Sequence, residues 1–262
     1  MADRYQRGLD ILRSLAGEDE PSTIRSLADI APDLATYTVE FPYGDVYSRP
    51  DLTIRQRQMA TIGALTALGY ALPQLKFHVN GALNIGCTRR EIVEAIMHVT
   101  SYCGFPAVIN ALNAAKEVFA SREDPEDAGG EDGPADDRSR YDRGWEALAR
   151  IDGEAGEAVI NSLKDIAPDL ARYIIEFAFG DLYCRTGLDL RTREIVTIAA
   201  CVALGSALPQ LKVHVHGLLN VGGTREEAVE TILQMAVYAG FPAAINGINA
   251  AKEVFAARDA EQ

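Results

Sequence analysis

Apolar side chains recur at three- and four-residue spacing along most of the chain, as from Asp169 to about Tyr183 and from Ala243 to about Ala257. That period belongs to helices with one buried face. No stretch alternates apolar and polar residues long enough to predict a strand, and no hairpin turn signal appears. Polar punctuation marks the helix ends. Thr88-Arg-Arg-Glu91 and Thr224-Arg-Glu-Glu227 are capping boxes, in which a hydroxyl and a carboxylate satisfy opposite ends of one first turn. Each follows a glycine suited to ending the helix before it, Gly86 or Gly222-Gly223. Gly104-Phe-Pro106 and Gly240-Phe-Pro242 break the chain, with proline placed to start the last helix, and Leu72-Pro73 and Leu208-Pro209 do the same earlier. The fold class expected is all-α.

These signals come in pairs because the chain says nearly the same thing twice. Residues 4–122 align with 140–258 at a constant offset of 136 without a gap, and more than half of the positions are identical. Asp29-Ile-Ala-Pro-Asp-Leu-Ala35 matches Asp165–Ala171, and Asn113-Ala-Ala-Lys-Glu-Val-Phe119 matches Asn249–Phe255. The expected organisation is a first repeat over 1–122 and a second over 139–262, with about six helices each. Between them, 123–138 crowds acidic residues, Gly and Pro without a large apolar side chain, the composition of a solvated linker. At 262 residues, each repeat is long enough to bury its own core.

Charge and cysteine usage narrow the class. A formal net charge of −13 argues against nucleic acid or an anionic membrane as partner. Apolar runs stop well short of a membrane span, and the N-terminus has no signal-peptide pattern. Cys87, Cys103, Cys184 and Cys201 occupy unmatched positions and form no Cys-x-x-Cys, which predicts free thiols in a reducing cytoplasm and no zinc site. No nucleotide or metal motif calls for a cofactor.

Where two copies diverge at polar, buried-looking positions, their chemistry has room to diverge too. Glu194 opens an apolar helix that ends near Gly205, and His214 lies about a turn into the next helix, past Pro209. Two antiparallel helices joined by a tight turn can bring them together, and a histidine oriented by a carboxylate carries protons near neutral pH. The same spacing suits a hydrogen-bonded core histidine beside a solvated first-turn carboxylate. His78 matches His214, whereas Glu194 corresponds to Gln58, His216 to Asn80 and Gln234 to His98. If a Glu–His pair is the working unit, the second repeat keeps it and the first does not. The strings Glu40-Phe-Pro-Tyr-Gly-Asp-Val-Tyr-Ser-Arg49 and Glu176-Phe-Ala-Phe-Gly-Asp-Leu-Tyr-Cys-Arg185 share an arginine that can fork a substrate carboxylate or form a structural ion pair.

Together with Arg-x-Arg-Glu, Pro-Gln-Leu-Lys-x-His-x-x-Gly-x-Leu-Asn-x-Gly and Tyr-Ala-Gly-Phe-Pro-Ala-Ala-Ile-Asn, these strings resemble the carboxymuconolactone decarboxylase family across essentially the whole chain. The resemblance implies two tandem alkylhydroperoxidase D-like helical domains, rings of six domains with sites between them, and hence a homo-oligomer, a pseudo-hexameric trimer of tandem chains. It implies a cofactor-independent lyase acting on a small carboxylated lactone or related anion. On that reading His214 is the acid with His216 as an alternative, Glu194 orients the imidazole, Arg185 holds a carboxylate, and His78 and Arg49 are the first-repeat counterparts.

Two other classes stay open on the sequence. One is a peroxidase-like oxidoreductase, although Leu72-Pro73-Gln74 and Leu208-Pro209-Gln210 stand near where that branch carries its dithiol. The other is a non-catalytic binding or assembly protein, to which Gln58 inclines the first repeat.

Overall fold

The computed structural model describes residues 3–19, 21–123 and 137–260, so all of the expected linker but its ends lies outside the described residues. The first repeat runs α1 (Arg4–Ala16), α2 (Ser22–Arg25), α3 (Pro32–Thr38), α4 (Ile54–Leu68), α5 (Leu72–Asn84), α6 (Arg89–His98) and α7 (Thr100–Ala120). The second repeats the order as α8 (Arg140–Ile151), α9 (Gly153–Leu163), α10 (Pro168–Tyr173), α11 (Leu190–Leu204), α12 (Leu208–Asn220), α13 (Arg225–Tyr238) and α14 (Phe241–Ala260). No strand occurs among the described residues. The sequence punctuation is in use: both Thr–Glu capping boxes close, and Gly104 interrupts α7 at a φ of 78°.

After α3 and α10 the chain continues in wide, π-type turns over Val39–Tyr47 and Ile174–Tyr183. Such turns are rare and costly, and they persist where packing holds them. Here α8 presses on the second of them: a Cβ at Gly144 would lie 2.1 Å from the Ile175 carbonyl oxygen. Each wide turn ends on a buried tyrosine, Tyr47 or Tyr183, aimed inward.

Each repeat keeps a cluster of its own, around Leu12 and Val39 or Leu148 and Ile175, but the two largest clusters are shared. Every residue of α4 from Arg57 to Ala67 and of α11 from Arg193 to Ala203 is buried. A helix covered on all sides needs neighbours on all sides, and one repeat alone cannot supply them. The two helices therefore pack on each other, close enough that a Cβ at Gly63 would lie 2.7 Å from a Val196 methyl. One apolar cluster joins Met59 and Ile62 to Val196 and Ala200, and another joins Ala60 and Ala64 to Ile198 and Val202.

Buried ion pairs cross the same seam reciprocally. Arg57 lies 2.9 Å from Glu230, and Arg193 lies 2.8 Å from Glu94. The arrangement is that of a twofold dimer fused into one chain.

Candidate active site

Glu194 and His214, twenty positions apart, meet where α11 and α12 run side by side: Nδ1 of His214 lies 3.0 Å from Glu194 Oε2. Tyr183, delivered by the wide turn, donates to the other carboxylate oxygen at 2.5 Å. The remaining imidazole nitrogen, Nε2, lies 2.9 Å from the hydroxyl of Tyr102, which belongs to α7 of the first repeat. Thr197, one turn beyond Glu194, lies 3.3 Å from the Tyr183 hydroxyl and 2.9 Å from Nε2 of His98. Asp152, between α8 and α9, places Oδ1 3.9 Å from His214 Nδ1.

Burial sets the protonation states, and the carboxylates correct it. Burial disfavours the His214 imidazolium, but the charge and hydrogen bond of Glu194, with the charge of Asp152, outweigh it and lift the pKa above the ordinary histidine value. Both ring nitrogens then donate, to Glu194 and to the Tyr102 oxygen. Burial and the Glu194 charge hold Tyr102 and Tyr183 well above the ordinary phenol value, so both stay protonated. With its oxygen accepting from His214, the Tyr102 O–H can donate to the Tyr183 oxygen, 3.4 Å away, or turn to the cavity. Burial lifts Asp152 to about 7, with His214 pulling it down and Glu194 pushing it up.

The open direction is a cavity of about 420 Å³, within the range of small-molecule sites. Its polar lining is Ser101, Tyr102, Asp152, Ser206, Gln210 and His214, set among Leu148, Ile160, Leu170, Ile174, Phe179 and Val213. No arginine or lysine is among the described residues that line it.

The first-repeat counterpart keeps the histidine and the tyrosines and differs at both carboxyl positions. Nδ1 of His78 lies 2.9 Å from Gln58 Oε1, and Tyr238 of the second repeat stands 3.2 Å from Nε2. The amide brings no charge, and burial pushes His78 down to about 3, so this imidazole is neutral. Ala16 stands at the position of Asp152.

The sequence candidates therefore divide. His214 and Glu194 form one buried unit on the cavity, and His78 forms the parallel uncharged unit. His216 faces an outer cleft of about 880 Å³, with Nδ1 2.9 Å from the Arg258 guanidinium. Arg185 does not line the cavity, because its guanidinium is paired with Glu94 at 2.7 Å. Arg49 is paired with Glu230 at 2.6 Å. Of the two uses weighed for these arginines, the ion pair is the one formed.

Tyr102, Tyr183, Thr197 and Asp152 were absent from the sequence candidates. Tyr102 and Tyr238 do occupy matching positions, and Asp152 opposite Ala16 is a polar difference between the copies, so both carried a signal.

Asp152, Glu194 and His214 each bring an atom within 4.8 Å of the others, a set whose residue types suit a divalent cation. A cation would need the Nδ1 lone pair, yet Nδ1–H is committed to Glu194 and the other oxygen of Glu194 to Tyr183. With His214 charged, the donors fit proton exchange.

A carboxymuconolactone decarboxylase family model matches the chain twice, over residues 32–117 and 168–253. The chain is 36% identical over 117 residues to 4-carboxymuconolactone decarboxylase of Acinetobacter baylyi, an alignment covering 44% of this chain and 87% of that protein. It is 29% identical over 116 residues to nitrosuccinic acid decarboxylase of Metarhizium robertsii, covering 44% and 80%. A crystal structure described as a gamma-carboxymuconolactone decarboxylase subunit of Burkholderia xenovorans has the same fold, with a TM-score of 0.57 and 23% identity over 98% of both chains.

Proposed function

Because the chain belongs to the carboxymuconolactone decarboxylase family, we propose that it is a decarboxylase, a lyase releasing CO₂ from a small carboxylate in the second-repeat cavity. The observation that carries this reading is the chain Glu194–His214–Tyr102, which ends in a hydroxyl on an apolar cavity. When CO₂ leaves, its bonding electrons pass into the remaining conjugated system, such as a lactone carbonyl. A donor already aimed at that oxygen lowers the barrier without reorganising. Tyr102 O–H is that donor, and the His214 imidazolium behind it strengthens the hydrogen bond.

The carbon left by CO₂ then takes a proton, which His214 gives up from Nε2 through the Tyr102 oxygen. Glu194 holds the imidazole charged and oriented, and Tyr183 fixes Glu194. With no arginine or lysine on the cavity, the His214 charge is also what receives an anionic substrate. The first repeat, with neutral His78, serves as scaffold and lends Tyr102. The names of two relatives, 4-carboxymuconolactone decarboxylase and nitrosuccinic acid decarboxylase, support this class and leave the acid itself to be chosen by the cavity.

Peroxide reduction is poorly served by three of the four thiols. Burial raises Cys87 and Cys103 to about 11 and Cys201 further, and a protonated thiol is a weak nucleophile.

A self-assembling chain also fits the surface. Ile30, Leu34, Tyr37, Phe105 and Ile109 are exposed, and so are their second-repeat counterparts Ile166, Leu170, Tyr173, Phe241 and Ile245. Retaining the same apolar side chains at ten exposed positions suits a homo-oligomeric contact.

The test is turnover of 4-carboxymuconolactone without added cofactor, following CO₂ release for the wild type and for a folded His214→Ala variant. Turnover lost in the variant is the expected result. An inert wild type would remove this substrate.

A further inference from the structure

Every decarboxylation of a carboxylate consumes a proton, since RCO₂⁻ + H⁺ gives RH + CO₂. A buried acid that has given up its proton must be recharged before the next turnover. His214 is only 5% exposed, and its two nitrogens face Glu194 and Tyr102.

One residue borders both the cavity and the outside. Asp152 lines the cavity that holds His214 and also the outer cleft that holds His216, Asn220 and Arg258. It is 5% exposed, and its Oδ1 is buried without a hydrogen-bond partner. It stands at the start of α9, where an aspartate side chain commonly caps the helix, yet it makes no capping bond. On its inner side, α12 offers a glycine: a Cβ at Gly217 would lie 2.7 Å from Glu194 Oε2 and 3.1 Å from Asp152 Oδ1. A larger residue there would crowd both carboxyl groups. The first repeat, with its neutral histidine, has Ala16 at this position.

We propose that Asp152 is the proton inlet of the second-repeat site, taking a proton from the outer cleft and releasing it into the cavity in each turnover. This rests on the decarboxylase reading. Below about pH 7 the carboxyl rests with its proton. After the first turnover His214 is neutral too. The Asp152 O–H bond then breaks, and its proton passes through the cavity to Tyr102 and Nε2 of His214. The carboxylate that remains takes a proton from hydronium or a buffer acid in the cleft. No electron changes hands.

The surrounding charges suit this cycle. Glu194 on α11 favours the neutral carboxyl, and His214 on α12 favours the carboxylate. When His214 has spent its charge that pull is gone, so release is driven by the neutral imidazole that takes the proton and then faces the carboxylate as a counter-charge. Across the cleft stand His216 of α12, Arg258 of α14 and Glu154 of α9. Burial leaves the carboxyl near 7, where uptake and release are both accessible at neutral pH.

The experiment has an arm that needs no substrate. Infrared titration of the wild type should show a protonated-carboxyl band that disappears as pH rises through neutrality and is missing in Asp152→Asn. A wild type without that band at mildly acidic pH overturns the proposal. In rapid mixing with 4-carboxymuconolactone, Asp152→Asn and Asp152→Ala should complete the first turnover on the proton stored at His214. Their steady-state rate should then fall by about tenfold or more and recover with small weak acids. Unchanged steady-state rates, or loss of the first turnover along with the rest, overturn it. A wild type inert to the lactone ends the decarboxylase reading for that substrate, and the infrared arm still decides whether Asp152 exchanges its proton.

Discussion

The Tyr102 hydroxyl of the first repeat lies 2.9 Å from Nε2 of His214 in the second. The reverse contact, Tyr238 to Nε2 of His78 at 3.2 Å, completes an exchange in which each repeat finishes the other's histidine site. The exchange follows from the shared seam. Once α4 and α11 are buried against each other, the start of α7 and the end of α13 are each carried to the opposite repeat. The two sites have the same frame and different charge, so the pair acts as its own control.

Tyr102→Phe is therefore expected to disable a site whose histidine and carboxylate belong to the other repeat. It removes the donor on the cavity and leaves Nε2–H without its acceptor. Removal of a comparable oxyanion donor costs about 10²–10³ in kcat. Tyr238→Phe, at the uncharged site, should cost far less. Steady-state rates of the two variants, with circular dichroism to establish folding, make the comparison.

Glu194→Gln moves the second site toward the chemistry of the first, leaving Asp152 as the carboxyl beside His214. Without the carboxylate charge, burial governs His214, and its pKa should drop below the ordinary histidine value, as that of His78 does. Catalysis by the imidazolium should fall by about 10²–10⁴ at neutral pH. An NMR titration of the ring protons measures the shift directly, and an unshifted His214 would show that Glu194 does not hold the charge.

The Glu194–His214 meeting was readable because it is local. Two consecutive helices with a tight turn between them have few ways to pack, and the Gln58 difference marked which copy carries charge. Asp152, Tyr102 and Arg185 were harder because their settings depend on which helix faces which across the chain. Arg185 shows the cost. Its motif suits a carboxylate fork, and it does meet a carboxylate through Nε, but that of Glu94 in the other repeat, which no spacing within one repeat can reveal. The all-helical class rests on periodicity and survives intact; the fused core depends on α4 and α11 being apolar on every side, a pattern that says "buried" without saying against what.

Asp152 sets a pH dependence with an unusual sign. Its folded-state pKa, about 7, lies above the ordinary 3.8, so the folded protein holds a proton that the unfolded chain has released between those values. Stability from this group is full below that window and is lost as pH rises through it. Asparagine cannot ionise, so Asp152→Asn should gain relative to wild type with rising pH. By pH 8 the gain should be about 1–3 kcal/mol, with His214 offsetting part of the full linkage. Urea melts at acidic and alkaline pH read the difference, and a constant offset between the two proteins would refute it.

Glu94→Gln should be among the most damaging changes outside the cavity. Glu94 receives Arg193, fully buried, at 2.8 Å and Arg185 at 2.7 Å, so the variant leaves a buried guanidinium without its counter-charge. Breaking such a pair costs about 3–5 kcal/mol. Because the pair crosses the seam, the loss should appear as one cooperative transition at lower urea, with both repeats unfolding together.

The exposed apolar face carries the last expectation. Leu170 is 50% exposed and also lines the cavity, so whatever covers this face also closes the site. Its counterpart Leu34 is 52% exposed and is not among the residues lining that cavity. If a second copy of the chain covers both faces, Leu34→Glu and Leu170→Glu should each lower the mass seen by sedimentation, because a buried carboxylate without a partner opposes association. Only Leu170→Glu should also change KM directly, through the cavity wall. With both variants dissociated, a larger KM change in Leu170→Glu than in Leu34→Glu would separate the cavity wall from its cover. A monomeric wild type would mean that these leucines face solvent and that the cavity works open.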